Sequence, residues 1–195
     1  MAEPISPLAD AYRPGSHGNV ARGVGVSIFE TSPGSIIEVS AWRGGEHALV
    51  AAITEATGLA LSAEPNSGAV SGQRSGFGVA PGRFLLVDQA EGLGQVLLSA
   101  LPIDLGTVTD LSHGRTAIGI EGEKVEWVLA KFFALDFSTA AFPVESGRAT
   151  VHHDVLAQIQ RTGAKRFDLY VFRSFARSFW TALCHGAEEV GCEVR

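Results

Sequence analysis

The chain has 195 residues, long enough for one well-buried domain or for two small halves sharing a core, and too short for a multidomain enzyme. A formal net charge of −6 opposes a phosphate-binding surface, which needs clustered Lys and Arg, so nucleic acid is excluded as a partner. No apolar run reaches the roughly 18–20 residues that span a bilayer, and MAEPISPLADAYRPG lacks a basic region followed by an apolar one. The expectation is therefore a cytoplasmic protein with no membrane partner. Cys184 and Cys192 supply no disulfide framework and are expected to stay reduced as packing residues. Only 18% of residues are charged and mean hydropathy is +0.18, which fits either a large core or a surface covered by another chain.

Residues 1–20 carry prolines at 4, 7 and 14 without an apolar period, and read as an extended arm. The remainder, 21–195, reads as a single α+β domain in two halves, about 21–105 and 106–195. In the first half, VGVSIFE and IIEVSAW are β-rich runs separated by ETSPGS, which predicts a hairpin. Leu49, Val50, Ile53 and Ala56 recur near a 3.6-residue spacing and stop at Gly58, the signature of a helix with a left-handed end. A Ser-, Gly- and Pro-rich loop follows, then a second hairpin, GFGVA and RFLLV across PG, and a shorter helix stopped by Pro102.

The second half repeats this order. HGRTAIGIEG is a strand, and GEKVEWVLAKFFALD is a helix burying Val125, Val128, Leu129, Phe132 and Phe133. ATVHHDVLAQIQ and KRFDLYVF pair across RTGA, and SFARSFWTALCHGAEEVG closes the chain as a helix capped by Ser174. Phe175, Phe179, Trp180, Leu183, Cys184 and Ala187 mark its buried side. An order of strand, helix, loop, hairpin, helix occurring twice, about 80 residues apart, predicts a duplicated, ferredoxin-like pair of β-sheet-plus-helix halves. Arg173 and Arg177 stand at a strand end and in a first helical turn, where the macrodipole disfavours cations. Each calls for a nearby acid, either Asp168 or a carboxylate on a partner.

The residues that carry reactions elsewhere are poorly arranged here. Asp110, Ser112 and His113 are too close in sequence for a relay in which one base touches both nucleophile and orienter, and they read as a turn. His152 and His153, placed on a strand, point to opposite faces and do not share an ion. Cys184, His185 and Cys192 lack the short-spaced pairs of a zinc site. GFGVAPG has one residue too many for a dinucleotide fingerprint and precedes a strand. No catalytic, cofactor-binding or metal-binding residue is assigned from these patterns.

Asp110-Leu-Ser112 before a strand, Gly122 opening a helix, Leu129-Ala130, Leu135-Asp136, Phe142-Pro143, Arg173-Ser174-Phe175-Ala176 and Ser178-Phe179-Trp180 occur in an order and spacing that resemble the gamma subunit of heterotetrameric sarcosine oxidase. Ser6-Pro7-Leu8 also suits that family, and the resemblance spans Ser6 to Gly191, most strongly in the C-terminal half. It implies a fold like the folate-binding domain of the glycine-cleavage aminomethyltransferase. It also implies a non-catalytic subunit, packed on the alpha subunit beside beta and delta, of a bacterial enzyme that oxidatively demethylates sarcosine to glycine. FAD, FMN, NAD, tetrahydrofolate and zinc are implied for the other subunits and none for this one. Pro7, Leu8, Arg173 and Arg177 are the residues expected at the partner interface. Two other readings stand beside this one. The first is a gamma-like subunit of a related amine dehydrogenase such as one acting on N-methylglutamate. The second is a free folate-binding aminomethyltransferase-like enzyme, for which Asp88, Asp110 and Asp136 are the available acids.

Overall fold

The computed structural model describes residues 5–195. In chain order its elements are β1 (Gly15–His17), β2 (Val26–Thr31), β3 (Ser35–Ala41), α1 (Glu46–Thr57), β4 (Gly68–Ser71), β5 (Arg74–Ala80), β6 (Arg83–Asp88) and α2 (Leu93–Ala100). There follow β7 (Gly106–Asp110), β8 (Arg115–Glu121), α3 (Val125–Ala130), β9 (Gly147–His152), β10 (Val155–Gly163), β11 (Arg166–Phe172), α4 (Ala176–Ala187) and β12 (Cys192–Val194). The strands form two sheets, β1-β12-β2-β8-β11-β10-β9 and β4-β5-β6-β3-β7. All ladders are antiparallel except β12 on β2.

Side-chain alternation stacks these elements in four layers. Ile37, Val39, Phe84 and Leu86 of the smaller sheet pack on Leu49, Val50, Ile53, Leu93 and Leu97 of α1 and α2. Ile118, Ile120, Phe167, Leu169 and Val171 of the larger sheet pack on Val125, Val128, Phe179, Trp180 and Leu183 of α3 and α4. Between the sheets a thin apolar seam joins Ile36, Phe77, Leu85 and Val87 to Ala117 and Tyr170. A strand pressed by helices on one side and by a sheet on the other has no solvent face, so five consecutive residues of β11, Phe167 to Val171, are all buried.

The two-fold plan is present: β3-α1-β4-β5-β6-α2-β7 is followed by β8-α3-β9-β10-β11-α4-β12. The boundaries differ from the sequence reading. β2 and β3 do not form a hairpin; β2 lies beside β8 in the larger sheet and β3 beside β6 and β7 in the smaller. Pro33 and Gly34 are a crossover between sheets, and a Cβ at Gly34 would meet the Ala90 carbonyl carbon at 2.5 Å. A turn signature reports a reversal of the chain without reporting which sheet it enters. β7, placed at the start of the second half, pairs with β3 and completes the first sheet. Within the segment read as an extended arm, Gly15–His17 pairs with β12 as the edge of the larger sheet, and residues 1–4 lie outside the described residues.

Several local expectations change with it. α3 stops at Ala130, leaving Phe132 and Phe133 on a turn beyond it, and Phe175, not Ser174, precedes α4. The sheets approach closely at Gly147, where a Cβ would lie 2.0 Å from a ring carbon of the fully buried Phe77. Gly147→Ala should therefore cost about 1–3 kcal/mol through forced ring displacement. Chemical denaturation would show the fall, and a wild-type midpoint would mean the Phe77 ring moves aside freely.

Candidate functional site

Two of the concave regions built by this arrangement gather polar residues that bear on the sequence reading. The first, about 350 Å³, lies at one end of the seam between the sheets and is lined by Arg74, Ser75, Thr162, Arg166, Asp168 and Tyr170, among others. Its charges are consumed internally. Arg74 Nε donates to Asp88 at 2.5 Å, and Asp88 accepts the Ala90 amide at 2.9 Å. Asp168 accepts from the Thr162 hydroxyl at 2.7 Å and from Arg166 at 3.2 Å. Burial, with the Asp168 charge nearby, pushes the Tyr170 phenol well above its usual pKa and keeps it neutral.

The three acids proposed for a free transferase are likewise committed to structure and do not converge. Asp88 holds Arg74 in the cleft; Asp136 accepts the Ser138 amide at 2.8 Å in the loop after α3. Asp110 ends β7 and accepts both the hydroxyl of Ser112, at 2.6 Å, and its amide, at 2.9 Å. The turn expected at Asp110 and Ser112 is present, and the Ser112 oxygen in turn accepts the Ile36 amide at 2.9 Å, which ties the end of β7 to β3. These bonds hold the Asp110 carboxyl below the ordinary aspartate pKa, the Ser112 hydroxyl being the larger cause. Ser112→Ala should cost about 1 kcal/mol at neutral pH. Because the folded pKa is depressed, the carboxylate's share is full above the unfolded value of about 3.9 and is lost as pH falls through the folded value. The gap in thermal midpoint between wild type and Ser112→Ala should narrow in acid to the share of the Ile36 bond; a gap constant with pH would assign the whole effect to that bond.

The paired histidines are arranged differently from expectation. His152 ends β9 and His153 occupies the tight turn at φ +50°, so the rings do not project to opposite faces; their centroids lie 4.4 Å apart. The His152 Nδ1 sits 2.9 Å from the Phe132 carbonyl, and its ring packs against Phe132, Phe133 and Phe179. Among the described residues no three His, Cys, Asp or Glu side chains are grouped to hold a metal ion. Burial raises the thiol pKa of Cys184 to about 12 and of Cys192 to about 11, so both are unreactive thiols at neutral pH.

The second concave region, about 260 Å³, opens beneath the N-terminal segment and gathers the sequence-flagged residues Pro7 and Arg173. The segment is fastened to its own chain at several points. The Ser6 hydroxyl lies at 2.6 and 2.8 Å from the two Glu30 carboxylate oxygens, and Tyr12 stacks on Trp180 with centroids 5.2 Å apart. Its hydroxyl donates to the Arg195 carbonyl. Leu8, expected at the partner interface, is 0% exposed in the isolated chain and packs in the core under α4. Arg173 donates to the Ile5 carbonyl, and Arg177 lies 3.7 Å from Asp10, both at the surface. The acid beside Arg177 is thus Asp10 of the N-terminal segment, whereas Asp168 is taken by Thr162 and Arg166.

Sequence reasoning missed two arginines. Arg161, assigned to a turn, is buried in β10 on the helix side, and Arg115 is buried at the start of β8 against Phe172 of β11. The signal for Arg115 was present: a cation opens the otherwise apolar run RTAIGI.

Two stacked sheets, each covered by two helices, define a duplicated α+β fold of the aminomethyltransferase type. Bartonella henselae glycine cleavage system aminomethyltransferase T shares that fold at a TM-score of 0.57 and 17% identity, over 88% of this chain and 48% of the other. A closer likeness is a chain of the heterotetrameric sarcosine oxidase from Corynebacterium sp. U-96, solved in complex with pyrrole 2-carboxylate. It gives a TM-score of 0.80 and 26% identity over 97% of both chains. Among curated proteins no relative matches. The model of the sarcosine oxidase gamma subunit family matches residues 43–189, and the chain belongs to that family.

Proposed function

We propose that this chain is the non-catalytic gamma subunit of a bacterial, cytoplasmic heterotetrameric sarcosine oxidase, where it packs chiefly on the alpha subunit in an assembly with beta and delta. The observation that carries the reading is the match along 97% of both chains to a member of such an assembly, together with the family match. In this account FAD, FMN, NAD, tetrahydrofolate and zinc belong to the other subunits, and sarcosine is demethylated there. The commitment of Asp88, Asp110 and Asp136 to internal bonds supports a supporting rather than a chemical role. Substrate choice rests with the other chains, which is why an N-methylglutamate enzyme would ask nothing different of this one.

The docking face in this proposal is the edge formed by Pro7, Arg173 and Arg177. Ile5, Phe172 and Phe175 expose 74%, 39% and 39% of their surface beside it, an apolar group rimmed by cations of the kind that interfaces cover. Co-expression of the neighbouring oxidase subunits with and without this chain tests the role. Assembly and sarcosine-dependent peroxide formation are expected to fail without it; full activity in its absence would overturn the role.

A further inference from the structure

Arg115 is 7% exposed, and its guanidinium lies over the Phe172 ring at 3.6 Å from the centroid. The ring occupies one face of the guanidinium plane. The N–H groups lie in that plane, and the buried Nε and Nη1 have no hydrogen-bond acceptor among the described residues. Nor is any carboxylate of the described residues within 4.0 Å of this side chain. Glu38, the acid whose charge it senses, is 3.5 Å from Arg83 on the other sheet. Glu30, in the same cavity wall, is engaged by Ser6. A buried cation without acceptors is costly, and an added carboxylate would supply one of the missing acceptors and an opposite charge.

The position of this guanidinium indicates where that carboxylate comes from. Arg115 lines the 260 Å³ cavity whose wall includes Pro7, Ser112 and Arg173, and whose neighbours Ile5, Phe172 and Phe175 form the exposed apolar edge. Resting on the docking face assigned above, we propose that Arg115 is the socket of that face, receiving an Asp or Glu side chain from the partner subunit. Arg173 guides the acid at the mouth, and the N-terminal segment forms one wall of the socket.

Arg115→Leu, Arg115→Lys and Arg173→Gln, each measured alone and with the co-expressed partner subunits, test this. Leucine keeps the contact with Phe172 and removes an uncompensated charge, so the isolated variant should be at least as stable as wild type. Its association with the partners should weaken about 30-fold or more, the consequence of leaving the partner's acid unpaired. Lysine should restore part of that loss. Weakened association in Arg173→Gln but not in Arg115→Leu would overturn the socket and leave the face standing, whereas wild-type association in both would overturn the face. A destabilised Arg115→Leu that associates normally would make Arg115 a structural residue only. Acetate binding by the isolated chain, lost in Arg115→Leu without any change in association, would replace the proposal with a small-carboxylate site. Should the leucine variant fail to fold, exchange of the wild-type Arg115 Nε proton decides: slowing on assembly supports the socket, and an unchanged rate overturns it.

Discussion

Arg161→Leu is expected to lower the thermal midpoint by about 10 °C. Arg161 is 1% exposed and sits at the junction of β10, α3 and the loop that follows it. Its Nη1 donates to the carbonyls of Phe137 at 2.9 Å and Phe142 at 3.1 Å, while Nη2 donates to the Ala164 carbonyl and to Glu126, both at 2.6 Å. Three backbone carbonyls and one carboxylate therefore depend on a single planar fork. That fork also lies over Phe167 at 5.0 Å. Removing one member of a buried ion pair costs about 3–5 kcal/mol, and a domain of this size loses about 2–4 °C per kcal/mol. Glu126→Gln, which keeps a neutral acceptor, should cost much less, about 1 kcal/mol. Lysine should rescue little, since one ammonium does not reproduce the fork. Equal stability of wild type and Arg161→Leu would show that the loop from Phe137 to Phe142 is held by its aromatic packing alone.

Trp180→Ala should cost about 3–5 kcal/mol and, in addition, release the N-terminal segment. Trp180 is 1% exposed in α4, and Tyr12 stacks on it with an interplanar angle of 18°. Truncation leaves a cavity under the helix and removes the platform on which residues 8–12 rest. A protease that cleaves on the amino side of aspartate should then cut at the Ala9–Asp10 bond much faster than in wild type at a temperature where the core remains folded. Tyr12→Leu, which keeps Trp180, should speed the cut without the large loss of global stability. Unchanged proteolysis in Trp180→Ala would mean that Leu8 and the Ser6–Glu30 contact hold the segment unaided.

The buried sides of α1 and of α4, apart from the 39% exposed Phe175, and the left-handed end at Gly58 were readable because they are local, set by spacing along a few turns. What escaped was long-range. Nothing between Glu30 and Ser35 indicates that β2 and β3 part into different sheets, and a three-residue strand such as β12 has no period to detect. Arg177 was flagged by its position in a first helical turn, yet its acid, Asp10, stands far away in sequence. Arg115 and Arg161 look alike as single cations beside apolar runs. Only packing separates them: Arg161 meets four acceptors and Arg115 meets a ring. Leu8 shows the converse, since an apolar residue in a Pro-rich segment reads as surface until the core reaches out to it.

The most direct measurement of the subunit role is a native-mass determination of tagged chain recovered from its own cells, with flavin absorbance and sarcosine-dependent peroxide recorded on the same sample. The account predicts one stoichiometric assembly of this chain with three others, coloured by flavin and active on sarcosine. A colourless monomer near 20.5 kDa, with the oxidase activity left in the unbound fraction, would contradict it.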